Sequence, residues 1–451
     1  MENRHKNYFH IEPDKGLLND PNGLIQFKGK YYFFHQWNRF DTSHDYKEWG
    51  LFLSKDLVHW TNIRSAILPD RYDDKDGVYS GSAIENDGKM YLFYTGNTKL
   101  NGVRKSYQKI AVSNDGRTFI KQESAIETPK GFSEHHRDPK VWKKDNKWWM
   151  IVGAQTKENV GAITLFQSND LLTWEYQGIF YTDTILDQMC ECPDYFTLTD
   201  GIEILMVCPQ KRTSDRQSDR PISSYAGYLA GKMDYKTNKF NQSTEIKMMD
   251  EGFDFYAPQS FLDDKGRRII VGWMSRMDEN QERNCPTVKD GYLHCLSMPR
   301  ELKWIDNHLY QVPLKEYENL RKREQEYKNE YGIISNNNKA FELIIDFDEA
   351  IKDFSVSLNS NTNPIIYRCG KLEIGRINWV TEKLETKILQ VKDLTKLHIF
   401  CDSSTLEIFI NDGQYVFSMR YFCDEQNRNI EYKSLNEKGM INFYSYEEEN
   451  E

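Results

Sequence analysis

Five aromatic and β-branched runs recur along the first two thirds of the chain at nearly constant spacing. They begin at Gly29, Gly88, Asn146, Gly201 and Gly266, so the steps are 59, 58, 55 and 65 residues. Each run is a turn residue followed by an apolar stretch, as in Gly29-Lys30-Tyr31-Tyr32-Phe33-Phe34 and Asn146-Lys147-Trp148-Trp149-Met150-Ile151. A second marker keeps similar time: Ser54-Lys55-Asp56-Leu57, Ser113-Asn114-Asp115-Gly116 and Ser168-Asn169-Asp170-Leu171 are 59 and 55 residues apart. Self-similarity at a fixed period is the mark of a repeat architecture, and this period is too long for the common helical repeats. Strand-rich units of this length fit the four-stranded blades of a β-propeller around a central channel. The expectation is a five-bladed β-propeller over residues 1–305.

The pattern then changes. A charged stretch after Pro313, from Leu314 to Glu324, reads as an exposed helix or linker, with linker bounds expected at 306–335. From Phe341 short apolar–polar alternations follow, such as Phe354-Ser355-Val356-Ser357-Leu358 and Leu406-Glu407-Ile408-Phe409-Ile410. Asn411-Asp412-Gly413 is a hairpin signal. These features predict a β-sandwich over 336–451 and make the whole chain all-β.

Composition narrows the partners. The 451 residues carry a formal net charge of −10, which argues against a nucleic acid. No run is long and apolar enough to span a membrane. The polar start Met1-Glu2-Asn3-Arg4-His5-Lys6-Asn7 does not read as a signal peptide, so a cytoplasmic location is expected. The eight cysteines show no metal-ligand spacing and are expected to be reduced thiols. No metal or organic cofactor is expected, and the oligomeric state is open.

Three acids stand out: Asp20 in Asn19-Asp20-Pro21-Asn22-Gly23, Asp138 in Arg137-Asp138-Pro139, and Glu191 in Glu191-Cys192-Pro193-Asp194. They lie 9, 8 and 10 residues ahead of the runs at 29, 146 and 201, each just before an expected strand. Equivalent places in three blades would bring them together at the propeller axis. Paired carboxylates around an acetal are the usual means of glycoside hydrolysis: one attacks the anomeric carbon and the other protonates the leaving oxygen. Asp20, with turn amides and Asn19 beside it, suits the ionised nucleophile. Glu191, among Met189, Cys190, Cys192 and Pro193, suits a neutral proton donor. Asp138, next to Arg137, is expected to stay ionised and accept hydrogen bonds from the sugar.

On these motifs the chain resembles glycoside hydrolase family 32, the β-fructosidases, over nearly its whole length. Phe253-Asp254-Phe255-Tyr256-Ala257-Pro258-Gln259 also looks like a family segment. The resemblance implies retaining hydrolysis of a terminal β-fructofuranoside, with Asp20 as nucleophile, Asp138 as transition-state stabiliser and Glu191 as acid/base. It implies sugar-holding positions at Asn19, Gln36, Tyr79, Ser80, Arg137 and Trp273. Leu17-Leu18, His136, Cys190 and His44 depart from the pattern of secreted members, on the leaving-group side. The form of the first motif looks most like intracellular hydrolases of phosphorylated sucrose. A phosphate would need cationic groups, for which His44, Lys47, Lys211, Arg212, Arg276 and Arg283 are candidates. A fructo-oligosaccharide or fructan exo-hydrolase and a non-catalytic fructan-binding protein are the alternatives.

Overall fold

The computed structural model describes residues 4–210, 224–328, 331–423, 428–434 and 439–447. The recurring runs are the second strands of five blades. The innermost strands are Gly16–Phe27, Val78–Asn86, Phe132–Lys144, Met189–Thr197 and Tyr256–Leu262. Each pairs antiparallel with its run, as Gly16–Phe27 does with Lys30–Asn38. The innermost strands touch in ring order, and the fifth touches the first.

Both sequence markers are turns. Lys28-Gly29, Asp87-Gly88 and Asp145-Asn146 join the first two strands of blades one to three, all with positive φ. A two-residue hairpin with both φ values positive matches the natural strand twist. The Ser-x-Asp marker joins the third and fourth strands of the same blades. The Ser54, Ser113 and Ser168 hydroxyls accept the amides of Leu57, Gly116 and Leu171, each at 2.9 Å. Asp56, Asp115 and Asp170 accept the next two amides at 2.7–3.1 Å. The repeat is visible in sequence because one turn chemistry is used three times.

Blade five holds the ring together. Between its strands Arg268–Trp273 and Arg300–Ile305 the chain makes an excursion over residues 274–299. There Tyr292–Leu293 adds to the first blade in parallel, opposite Gly16 and Leu17. His308–Pro313 is the outer strand of blade five, and Arg323–Lys328 and Tyr331–Ile334 belong to the sandwich. The expected linker at 306–335 therefore shrinks to residues 314–322. Its charged residues misled because edge strands expose alternate side chains to water.

The sandwich consists of two six-stranded sheets over a core that includes Phe341, Leu343, Ile365, Leu406 and Ile408. Its outer face packs on the propeller: Phe400, Phe409 and Tyr446 share one cluster with Phe9, Phe255 and Met298. Buried charges cross this interface. Arg300 donates to Glu407 at 2.5 and 3.0 Å and to Asp250 at 3.1 Å. His10 sits between Asp402 and Glu407, 2.9 Å from each. Burial alone would lower its pKa, but hydrogen bonds and charge from both carboxylates raise it to about 9. Its ordinary value is 6.5. The pair's contribution to stability is therefore complete below the unfolded value and is lost as pH rises through about 9. The unfolding free energy is expected to fall by about 3 kcal/mol over that window. Urea unfolding of His10→Gln should show a flatter pH profile; a wild-type slope in that variant would exclude His10 as the source.

Candidate active site

The three acidic motifs are not turns ahead of strands. They lie within the innermost strands, where each strand carries a β-bulge. In blades three, four and five the register breaks between Arg137 and Lys140, between Glu191 and Asp194, and between Tyr256 and Gln259. The residues after the break point, Asp138, Cys192 and Ala257, have φ of 70°, 43° and 47°. Such left-handed conformations cost about 1–3 kcal/mol each at non-glycine residues, and bulges re-aim side chains next to active sites. A polar segment with a proline and a bulge carries no strand periodicity, which is why these strands are hidden in the sequence.

The register also corrects the assumed equivalence of the acids. Glu191 aligns with Arg137 and Tyr256, and Asp138 aligns with Cys192, so Glu191 sits one residue earlier than Asp138. Arg137, Glu191 and Tyr256 consequently point at one another. The Arg137 guanidinium donates to Glu191 Oε1 at 2.5 Å, and the Tyr256 hydroxyl donates to Oε2 at 2.7 Å. Gly153, paired with Arg137, lets the blades approach: a Cβ there would stand 2.2 Å from the Cys190 carbonyl oxygen.

The acids share a pocket of about 470 Å³ at the axis, lined also by Asn19, Gln36, His44, Tyr79, Arg137 and Trp273. Asp20 Oδ2 accepts from the Ser80 hydroxyl at 2.6 Å, and Oδ1 accepts from Asn19 at 3.2 Å. Asn19 also donates to Gln36 and accepts from the buried Lys47 at 2.6 Å. Asp138 Oδ2 accepts from the Cys192 amide at 2.9 Å. The Cys192 thiol lies 3.5 Å from Asp138 and 3.8 Å from Asp20. Burial, then the charges of those two acids, push this thiol well up, so it stays protonated between them.

The pKa shifts of two acids run opposite to the expectation. Burial pushes Glu191 up, but Arg137, Arg276 and the Tyr256 hydroxyl outweigh it and hold the carboxyl at about 2. Asp138 is raised to about 7, first by burial and further by Glu191 and Asp20; Arg137 and the Cys192 amide only partly oppose this. The cause is geometric. Arg137 turns toward Glu191 at 2.5 Å and stands 4.0 Å from its sequence neighbour Asp138.

Of the expected sugar-holding residues, Ser80 is completely buried and spends its hydroxyl on Asp20, so it backs the pocket wall. Trp273 packs edge-on between His294 and His44, with ring centroids 5.1 and 6.2 Å away. Among the cationic candidates, His44, Lys47 and Arg276 line the pocket. Arg283 is exposed and pairs with Glu279 at 2.5 Å, while Lys211 and Arg212 lie outside the described residues. Several wall residues carry no sequence signal. Arg104 reaches in from blade two, and Ser275, Met277, Glu279 and Glu282 come from the excursion at 274–299. Tyr256 lies in the family-like segment Phe253–Gln259, but its role follows only from the register.

Among the described residues no helix is long and apolar enough to cross a membrane. The N-terminal domain model of glycosyl hydrolases family 32 matches residues 10–313, and the C-terminal model of that family matches 316–447. The chain is 37% identical to the sucrose-6-phosphate hydrolase of Bacillus subtilis (strain 168), over 94% of this chain and 91% of that protein. It is 37% identical to the sucrose-6-phosphate hydrolase of Klebsiella pneumoniae, over 94% and 90%. The solved structure of sucrose-6-phosphate hydrolase from Lactobacillus gasseri superposes with a TM-score of 0.89 at 32% identity, covering 98% of this chain and 93% of that one. Both family models, spanning propeller and sandwich in turn, place the chain in glycosyl hydrolase family 32, and it is a glycoside hydrolase.

Proposed function

We propose that this enzyme hydrolyses the terminal β-D-fructofuranosyl residue of sucrose 6-phosphate, with retention of configuration, and sucrose less efficiently. The observation that carries the reading is the likeness to relatives bearing that name over more than nine tenths of this chain. In this reading Asp20 attacks the anomeric carbon. Glu191 protonates the leaving glucose oxygen and later activates water. Asp138 accepts hydrogen bonds from sugar hydroxyls. Asn19, Gln36, Tyr79, Arg137 and Trp273 hold the fructose. A phosphorylated disaccharide does not cross a membrane unaided, so a cytoplasmic enzyme fits this substrate.

Glu191 must be protonated to act as an acid, yet Arg137 keeps it ionised in the open pocket. Substrate resolves the conflict. A furanose hydroxyl becomes a partner of Arg137, and the ring excludes water, and both effects raise the carboxyl's pKa.

The leaving group lies on the Glu191 side, where Arg276 stacks over Tyr256 with its Cζ 4.6 Å from the ring centroid. Arg276 is the favoured phosphate partner. One charge-assisted hydrogen bond is worth roughly 1.5–3 kcal/mol, or about tenfold to 150-fold in kcat/KM. Steady-state hydrolysis of sucrose 6-phosphate, sucrose and inulin side by side tests the reading. The phosphorylated substrate is expected to lead, and Arg276→Ala should erase most of that lead while changing sucrose hydrolysis less. Equal kcat/KM for sucrose and its 6-phosphate at low salt would sink the phosphate preference and leave a sucrase. The relative named raffinose invertase of Escherichia coli, 32% identical over 94% of this chain, makes that second reading concrete.

A further inference from the structure

We propose that His44, Glu282 and His294 bind a divalent transition-metal ion of the zinc class at the mouth of the pocket, and that its binding stops turnover. His44 Nε2 lies 3.0 Å and His294 Nε2 lies 2.7 Å from the same oxygen, Glu282 Oε1. All three ligand atoms fall within 4.8 Å of one another. With metal–ligand bonds of about 2.0–2.1 Å, neighbouring atoms of a tetrahedral site stand about 3.3 Å apart. The two contacts to Glu282 need lengthen by only a few tenths of an ångström, and the exposed His44 ring can swing toward His294 to close the remaining separation, which is within 4.8 Å. Two imidazoles and one carboxylate suit Zn²⁺, Co²⁺, Ni²⁺ or Cu²⁺ rather than Mg²⁺ or Ca²⁺, which favour all-oxygen shells.

The supports differ usefully. His294 is fully buried beside the ring-closing strand Tyr292–Leu293, and Glu282 sits in the short helix Glu279–Arg283. His44 comes from the far side, on the loop after Lys30–Asn38, with its side chain 43% exposed. It is free to adjust, and both it and Glu282 line the pocket.

Coordination through Nε2 requires each neutral imidazole to carry its proton on Nδ1. In His294 no group among the described residues bonds Nδ1, so no hydrogen bond at that atom is lost. In His44 the relocated proton faces the Lys47 ammonium, whose Nζ is 3.0 Å from Nδ1. That contact must open. Lys47 also holds Asn19, and Asn19 bonds Asp20. An ion at the mouth thus adds positive charge to the wall and disturbs the chain of bonds ending at Asp20. It also pulls on His44, which flanks Trp273.

The binding arm of the test needs no fructoside. ZnCl₂ is titrated calorimetrically into the whole chain in a non-chelating buffer, and Co²⁺ binding is followed by its visible absorption. One ion per chain is expected, with intense tetrahedral Co²⁺ bands. Glu282→Gln and His44→Ala should each weaken binding by about 30-fold or more, and His59→Ala, an exposed histidine elsewhere, should not. Sucrose hydrolysis by the wild type should drop about tenfold or more with saturating Zn²⁺, recover with EDTA and ignore Mg²⁺. Absence of saturable binding up to about 1 mM, or wild-type binding in both variants, would overturn the site. Full turnover at saturating Zn²⁺ would overturn the blocking. If the wild type cleaved no fructoside at all, the proposed function would fail while the titration still decided the metal site.

Discussion

Asp20→Ala is expected to lower kcat by about 10⁴-fold or more on every fructoside. Asp20 stands at the floor of the axial pocket, with one oxygen bonded by Ser80 and the other by Asn19. Those bonds aim the carboxylate. Asp138 is the nearest alternative, but its carboxyl is engaged by the Cys192 amide and thiol. Removal should not unfold the chain, because Asp20 is only partly buried and forms no salt bridge among the described residues. The checks are single-turnover kinetics and the unfolding midpoint of the purified variant. A folded Asp20→Ala retaining more than about one per cent of turnover would remove Asp20 as the nucleophile. External azide should not restore retained configuration in this variant, since the face it vacates is the one from which the covalent intermediate forms.

Glu191→Ala is expected to cost about 10²–10⁴-fold in kcat on sucrose or its phosphate, and much less on an aryl fructoside whose leaving group needs no proton. Azide should speed this variant by intercepting the fructosyl intermediate. The contrast separates the two acids: one loss depends on the leaving group, the other does not. An equal loss on both substrate types would contradict proton donation by Glu191. The Arg137 pair adds a second signature. Free enzyme holds Glu191 at about 2, whereas bound substrate must raise it. The alkaline limb of kcat should therefore lie at higher pH than that of kcat/KM, because the two report the complex and the free enzyme respectively. In Glu191→Gln the loss of negative charge also lowers Asp138 from its raised value of about 7, since Glu191 is one of the charges holding it up.

What could be read from the chain alone was whatever repeats locally. The turns at Lys28-Gly29, Asp87-Gly88 and Asp145-Asn146, and the Ser-x-Asp turns at Ser54, Ser113 and Ser168, are bonded within a few residues. Their chemistry is written in consecutive letters, so blade number and fold class were legible. The alternation from Phe341 onward likewise marked the sandwich, because each strand buries one face. Asp20, Asp138 and Glu191 could be named as candidates from their motifs, and the pocket brings all three together.

The rest depended on register and on contacts between distant segments. A bulge shifts a strand by one residue without changing its composition, so the alignment of Glu191 with Arg137 and Tyr256 rather than with Asp138 could not be read from spacing. That single step decides which acid Arg137 pairs with, and it moves both carboxyls in the direction opposite to the one expected from sequence neighbours. The pocket mouth is likewise tertiary. Glu282 and His294 reach His44 only because the excursion at 274–299 closes the ring onto the first blade. A chain specifies its turns through neighbours in sequence. The charge on a buried acid is set by whichever groups the closed ring brings within a few ångströms, and that is a property of the folded propeller.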